Sequence, residues 1–137
     1  MLFRSSEKKY SNKYIGINSR LDEIQALFLN IKIRSLKDIT AHKQKLAFIY
    51  QQNLSDSFIK PVLQSGYEDV FHIYNVRHPQ RVALKAYLLK HGISTEIHYP
   101  TPPHLQPAYQ SLWNNHYPIS EEIHKTTLSL QIGRAHV

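Results

Sequence analysis

The sequence predicts an α/β fold, with long helices at its N-terminal end followed by a small sheet with flanking helices. Two observations predict it. Apolar residues recur every three or four positions between residues 21 and 50, which is the spacing of amphipathic helices. After residue 70, short runs with strand-like composition alternate with helical patterns and proline-rich segments, which is typical of a mixed domain.

The first predicted helix starts at Ser19 and Asp22, which form an [ST]-x-x-[DE] capping pattern. Its apolar stripe is Leu21, Ile24, Leu27, Phe28 and Ile31. Helical spacing continues with Leu36, Ile39, Leu46, Ile49 and Tyr50. Because the pattern breaks near Ser35, we expect two successive helices rather than one continuous rod.

The second half of the chain predicts shorter elements. Residues 54–66 predict a loop with a short extended piece at Phe58–Ile59. The elements after it are expected to be a strand at 70–76, a helix at 79–90, a strand at 93–98, a short helix at 105–113, a helix at 120–128 and a strand at 128–132. Pro79 marks a helix start and Gly92 a helix end, as those residues commonly do.

The composition bounds the class of protein. A chain of 137 residues with 42% apolar and 20% charged residues is typical of one globular domain. The absence of Cys excludes disulfides and thiolate-bound zinc, and the nine His residues lack metal-ligand spacing, so no metal is expected. The N-terminus turns charged after three residues and no run reaches membrane-span length, so we expect a soluble, cytoplasmic protein with no membrane partner.

The net charge of +7 raises the alternative of a small basic nucleic-acid-binding module. The cations at Lys32, Arg34, Lys37, Lys43 and Lys45 are, however, spaced around a helix and alternate with apolar residues. That pattern favours a solvated helix face, and we expect no nucleic-acid partner. A substrate that carries a diphosphate would also favour nearby positive charge.

Two sites carry candidate chemistry. At the first helix start, free backbone N–H groups together with Asn18 and Arg20 could bind an anion, or they could simply cap the helix. His98 and Tyr99 lie at a predicted strand end held by Pro100, where polar groups are often presented to a ligand. The alternative is that they are half-buried surface residues satisfied by the backbone.

Two long segments resemble one family, the DegT/StrS-type sugar aminotransferases, which use pyridoxal phosphate (PLP). Residues 8–26 include a G-x-N-x-R-L-D-E-x-Q-A run at 16–26. Residues 88–109 include G-I-x-T at 92–95 and H-Y-P-x-P-x-H-x-Q-x-A-Y at 98–109. The combination of residues 8–10 with 98–100 is most similar to transaminases of dTDP-3-amino-3,6-dideoxyhexoses.

The resemblance implies the C-terminal small domain of a fold type I PLP-dependent aminotransferase. It implies a helical segment at 1–54 that bridges to a large PLP domain absent from this chain, and a small C-terminal α/β domain at 55–137, truncated at its end. It further implies a homodimer in which Asn18 contacts the PLP phosphate of the partner subunit. Arg20, His98 and Tyr99 are implied as nucleotide-sugar-binding residues.

The activity that the resemblance implies is amino transfer from an amino acid such as glutamate to a dTDP-linked keto-deoxyhexose, in deoxysugar, polysaccharide or O-antigen biosynthesis. The family's Schiff-base lysine lies in the large domain. We therefore expect no catalytic residue in this chain and no activity from the chain alone. A PLP-binding regulatory protein or a dehydratase of the same fold is the alternative.

Overall fold

The computed structural model describes residues 9–15, 22–112 and 115–133. The predicted α/β fold, with long helices before a small sheet, is confirmed. Its helices and strands are, in order, α1 (Glu23–Lys32), α2 (Leu36–Asn53), β1 (Tyr74–Arg77), α3 (Arg81–Lys90), α4 (Pro118–Thr126) and β2 (Thr127–Leu130). Short 3₁₀ turns lie at Ile33–Ser35, Pro103–Leu105 and Pro107–Tyr109.

Helix α1 begins at Glu23, later than the predicted cap at Ser19, which lies outside the described residues. Asp22 is the N-cap: its carboxylate accepts a hydrogen bond of 2.9 Å from the backbone N–H of Gln25. The predicted break near Ser35 is present as the 3₁₀ turn that separates α1 from α2. Two successive helices are therefore confirmed.

The sheet has two antiparallel strands, with Tyr74 opposite Leu130 and Val76 opposite Leu128. The strand predicted at 70–76 is shorter and lies later in the chain, at Tyr74–Arg77. The strand predicted at 93–98 is wrong: only Glu96 pairs, through both of its backbone groups, with Ser129. The ladder does not continue past Glu96, because the backbone N–H of Ile97 donates instead to the side-chain carboxylate of Glu96 at 3.1 Å.

Two further predicted elements are wrong in detail. The helix predicted at 105–113 is replaced by the second and third 3₁₀ turns, because Pro107 forces Gln106 into extended backbone with ψ 138°. Trp113 lies outside the described residues. The last helix stops at Thr126 rather than Leu128, since Thr127 takes φ −67° and ψ 136° and starts β2.

The core lies between the sheet and the C-terminal half of α2. Its buried apolar residues are Ala47, Tyr74, Val76, Leu128, Leu130 and Ile132. Partly buried side chains surround them, namely Leu46, Tyr50, Leu54, Phe58, Phe71, Leu84, Leu88 and Ile97. Helix α1 contributes no buried residue. Over the described residues, no helix has the length and apolar character needed to cross a membrane.

Candidate functional site

The predicted site residues divide into two groups. Asn18 and Arg20 lie outside the described residues. His98 and Tyr99 are described: they follow the single bridge at Glu96 and are joined by a cis peptide bond. The local geometry of the site is therefore built around this pair.

His98 is half-buried and faces a cavity of about 450 Å³. Its Nδ1 lies 2.9 Å from Oγ of Ser129, a buried residue of β2. Thr95 and Lys43 line the same cavity. The sheet thus fixes the orientation of the imidazole through one hydrogen bond, and the cavity combines a cationic side chain, hydroxyl groups and the carboxylate of Glu96.

Tyr99 lines a different, neighbouring cavity of about 250 Å³, together with Tyr10, Asn12 and Gln106. It is 52% exposed. The two adjacent predicted residues, His98 and Tyr99, therefore face separate cavities. That His98 and Tyr99 bind the nucleotide sugar stays a prediction.

Tyr10 joins the two sides of the site. Its ring packs edge-on against His98, with ring centroids 6.0 Å apart, and against Tyr99, with centroids 5.1 Å apart. Tyr10 also has φ +66°, in the left-handed region that favours glycine. A side chain in this region costs about 1–3 kcal/mol and persists where surrounding contacts hold it. The two segments that carry the sequence motifs thus meet in space.

An ion pair stands beside Tyr10. Lys9 Nζ donates to the carboxylate of Glu96 and lies 4.9 Å from the centroid of the Tyr10 ring. The hydrogen bond from Lys9 lowers the pKa of Glu96, and the hydrogen bond to Glu96 raises the pKa of Lys9. Both side chains are substantially exposed, at 65% and 40%, so solvent screens the pair and it contributes little to stability.

Gln106 is a residue of this site to which the sequence pattern assigns no role. It is only 7% exposed, and its side-chain amide reaches the backbone of Tyr10, Asn12 and Thr101. Its position in the H-Y-P-x-P-x-H-x-Q-x-A-Y pattern was the available signal. The pattern identifies the residue, but the segment that it contacts is distant in sequence.

His104 and Glu121 form a second polar cluster behind the turns. Glu121 Oε1 lies 3.2 Å from Nε2 of His104 and 3.2 Å from Nδ1 of His116, and it accepts a 3.0 Å hydrogen bond from the backbone N–H of Tyr117. This backbone hydrogen bond, followed by those with the two histidines, lowers the pKa of Glu121 below its ordinary 4.5. The ionised carboxylate therefore holds α4 against the turn at Pro103–Leu105.

We expect Glu121→Gln to lower the thermal midpoint at pH 7, because the ionised acceptor is lost. Since folding lowers this pKa, the stability that the carboxylate supplies is complete above pH 4.5 and is lost as the pH falls through the folded-state pKa. The difference in midpoint between variant and unmodified chain should therefore shrink below pH 4.5. Calorimetry at several pH values measures it. An equal difference at all pH values would contradict this role, and Asp56→Asn, at an exposed position, is the control.

The cofactor-binding potential of these residues can be judged from their donor groups. Among the residues described, no group of three or more His, Asp or Glu side chains is arranged to hold a metal ion. The amide of Asn18 and the guanidinium of Arg20 are the hydrogen-bond donors that suit a phosphate, and both stand just before α1 in the sequence. Both residues lie outside the described part, so their binding of a phosphate stays a prediction.

The sequence of this chain is similar to those of characterised proteins. The chain is 41% identical over 129 residues to the dTDP-3-amino-3,6-dideoxy-alpha-D-galactopyranose transaminase of Aneurinibacillus thermoaerophilus, covering 93% of this chain and 36% of that protein. It is 38% identical over 132 residues to the erythromycin biosynthesis sensory transduction protein EryC1 of Saccharopolyspora erythraea, again covering 93% and 36%. The chain thus spans about a third of the length of these relatives.

The fold of this chain is also similar to that of solved structures. The crystal structure of DesV from S. venezuelae superposes with a TM-score of 0.77 at 36% identity, over 96% of this chain and 36% of that one. The predicted fold, the C-terminal part of a fold type I aminotransferase, is confirmed. The model of the DegT/DnrJ/EryC1/StrS aminotransferase family matches residues 2–136. Since the match covers nearly the whole sequence, this chain belongs to the DegT/DnrJ/EryC1/StrS aminotransferase family.

Proposed function

We propose that this chain is the C-terminal portion of a nucleotide-sugar aminotransferase, which transfers an amino group from an amino acid such as glutamate to a dTDP-linked keto-deoxyhexose. The observation that carries the proposal is the contact of the Tyr10 ring with His98 and Tyr99, across almost ninety residues of sequence. The relative at 41% identity, a dTDP-sugar transaminase, supports the substrate class.

In this proposal PLP supplies the electron sink for amino transfer, and this chain supplies binding groups. Asn18 donates to the PLP phosphate of the partner subunit, and Arg20 binds or orients substrate phosphate. His98 and Tyr99 form the wall that the nucleotide sugar contacts, each residue from its own cavity, and Ser129 orients His98. The Schiff-base lysine belongs to the large domain, so the chain alone is inactive.

The proposed assembly is a cytoplasmic homodimer that contributes to deoxysugar, polysaccharide or O-antigen biosynthesis. Residues 1–54 bridge to the large domain, and residues 55–137 form the small domain. The exposed stripe of α1 supports the bridge: Leu27, Phe28 and Ile31 are 61%, 60% and 59% exposed. An apolar helix face of this kind usually packs against another protein surface, because its exposure to water is unfavourable. We propose that the large PLP domain is that surface.

A regulatory relative is the second candidate, because EryC1 is named as a sensory transduction protein. A regulator would bind PLP and nucleotide sugar without amino transfer. Family membership does not favour a nucleic-acid-binding module, and we expect no nucleic-acid binding at physiological salt.

A chimera tests the proposal. Residues 2–136 replace the matching third of the A. thermoaerophilus transaminase, whose remaining part keeps its own lysine. We expect a chimera that binds PLP and aminates the relative's nucleotide sugar with glutamate as donor. Mass spectrometry of the sugar product, with the parent enzyme as reference, measures it.

Variants within the chimera test whether Tyr99 contributes to binding of the nucleotide sugar. Tyr99→Ala should lower kcat/KM for the nucleotide sugar at least about tenfold, since a substrate-binding ring is removed. Tyr67→Ala, at a position 76% exposed, is the matched control and should leave it unchanged. A folded, PLP-loaded chimera without amino transfer would refute the enzymatic proposal and favour the regulatory one.

A further inference from the structure

The side chain of Gln106 holds two distant parts of the chain together. Its Oε1 accepts a 3.0 Å hydrogen bond from the backbone N–H of Asn12. Its Nε2 donates to the carbonyl of Tyr10 at 3.0 Å and to the carbonyl of Thr101 at 3.3 Å. A fourth contact lies beside it: the N–H of Ala108 donates to the carbonyl of Asn12 at 3.0 Å.

Only an amide satisfies this set of partners. One acceptor faces an N–H group and two donors face carbonyl groups, which matches the side-chain inventory of Gln and not that of an acid, a hydroxyl or an apolar residue. Because Gln106 is 7% exposed, water has little access to replace these bonds. The side chain therefore sets the distance between residues 10–12 and the turn at 101–106.

The segment that Gln106 fixes carries Tyr10. The Gln106 amide donates a hydrogen bond to the carbonyl of Tyr10. Tyr10 has φ +66°, and its ring packs on His98 and Tyr99. Without this hydrogen bond, the left-handed backbone of Tyr10 has fewer contacts to hold it. We then expect the Tyr10 ring to lose its edge-on contacts with His98 and Tyr99.

We propose that Gln106 is a positioning residue for the nucleotide-sugar side of the site, acting through Tyr10 on His98 and Tyr99. This inference rests on the proposed function, because it assigns to that function a residue that acts through Tyr10. It also predicts selectivity: a nucleotide sugar is much larger than an amino acid and reaches more of this wall, so the amino-donor half of the reaction should be affected less.

The first test uses the full 137-residue chain. Gln106→Met keeps the volume of the side chain and removes all three hydrogen bonds, and Gln110→Met is the control at an exposed position. Amide hydrogen exchange should show faster exchange at Asn12 in Gln106→Met only. Unchanged exchange at Asn12 would show that the amide does not hold the segment, and would overturn the proposal.

The second test uses the chimera, where kcat/KM is measured separately for the two substrates. Gln106→Met should lower kcat/KM for the nucleotide sugar roughly ten- to a hundredfold, because a shifted wall misplaces the substrate. The kcat/KM for glutamate should change less than about twofold. A loss of folded protein would instead lower both values together. Equal losses for both substrates would assign Gln106 a merely structural role.

Tyr10→Ala keeps the test decisive if Gln106→Met fails to fold. Tyr10 is outside the buried core, and its removal should reproduce the sugar-selective loss with an unchanged melting temperature. A chimera that is active and in which Tyr10→Ala has no selective effect would refute the positioning role while leaving the proposed function intact. A parent chimera that is folded and PLP-loaded but does not aminate the sugar would instead refute the proposed function.

Discussion

Leu128→Ala should destabilise the fold by about 2–5 kcal/mol, the range for deleting a large aliphatic side chain from a packed core. Leu128 is 0% exposed and pairs across the sheet with Val76, which is also 0% exposed. A two-stranded sheet offers few neighbouring side chains that can move into the space. Small domains have only about 5–15 kcal/mol of total stability, so this loss is a large part of it.

Urea unfolding followed by circular dichroism measures the effect through the midpoint and slope. Leu112→Ala is the control, since Leu112 is 62% exposed and its truncation should leave the midpoint almost unchanged. Equal midpoints for Leu128→Ala and the unmodified chain would mean that the sheet does not organise the core. A changed slope would point instead to an altered denatured state.

The fold was predictable where local signals act alone. Apolar spacing located α1, α2 and α3, and the signal near Ser35 located the turn between the first two. Prediction failed where neighbours in space decide. The segment at 93–98 has strand-like composition, yet only Glu96 finds a pairing partner. Thr127 was predicted to lie in the last helix, but pairing with β1 places it in β2, one residue before the start of the predicted strand at 128–132.

The site was predictable only in part. The motif at 98–109 pointed to His98 and Tyr99, although the strand expected to end beside them is a single bridge at Glu96. The roles of Tyr10 and Gln106 depend on contacts across more than eighty residues, which no local pattern encodes. Their position in the matching segments marked them, while the left-handed backbone at Tyr10 and the burial of Gln106 are the observations that support the proposed positioning role.

Opposite effects are expected from one pair of substitutions on α1, Leu27→Glu with Phe28→Glu. In the chain alone both side chains face solvent, at 61% and 60% exposure, so the new charges cost little and reduce apolar contact between molecules. Sedimentation velocity should show self-association of the unmodified chain and a monomeric double variant. If the unmodified chain is monomeric at all concentrations, the exposed stripe does not act as a contact surface between molecules.

In the chimera the same pair should abolish activity. If the large PLP domain covers this stripe, two carboxylates without partners are buried there, at a cost of several kcal/mol, and the assembly fails. Gln25→Glu with Asn30→Asp adds the same charge to α1 away from the stripe, and should leave both association and activity unchanged. An active chimera carrying Leu27→Glu and Phe28→Glu would mean that α1 stays exposed in the whole enzyme. Loss of activity in both double variants would indicate instead that added negative charge on α1 is the cause, whichever face carries it.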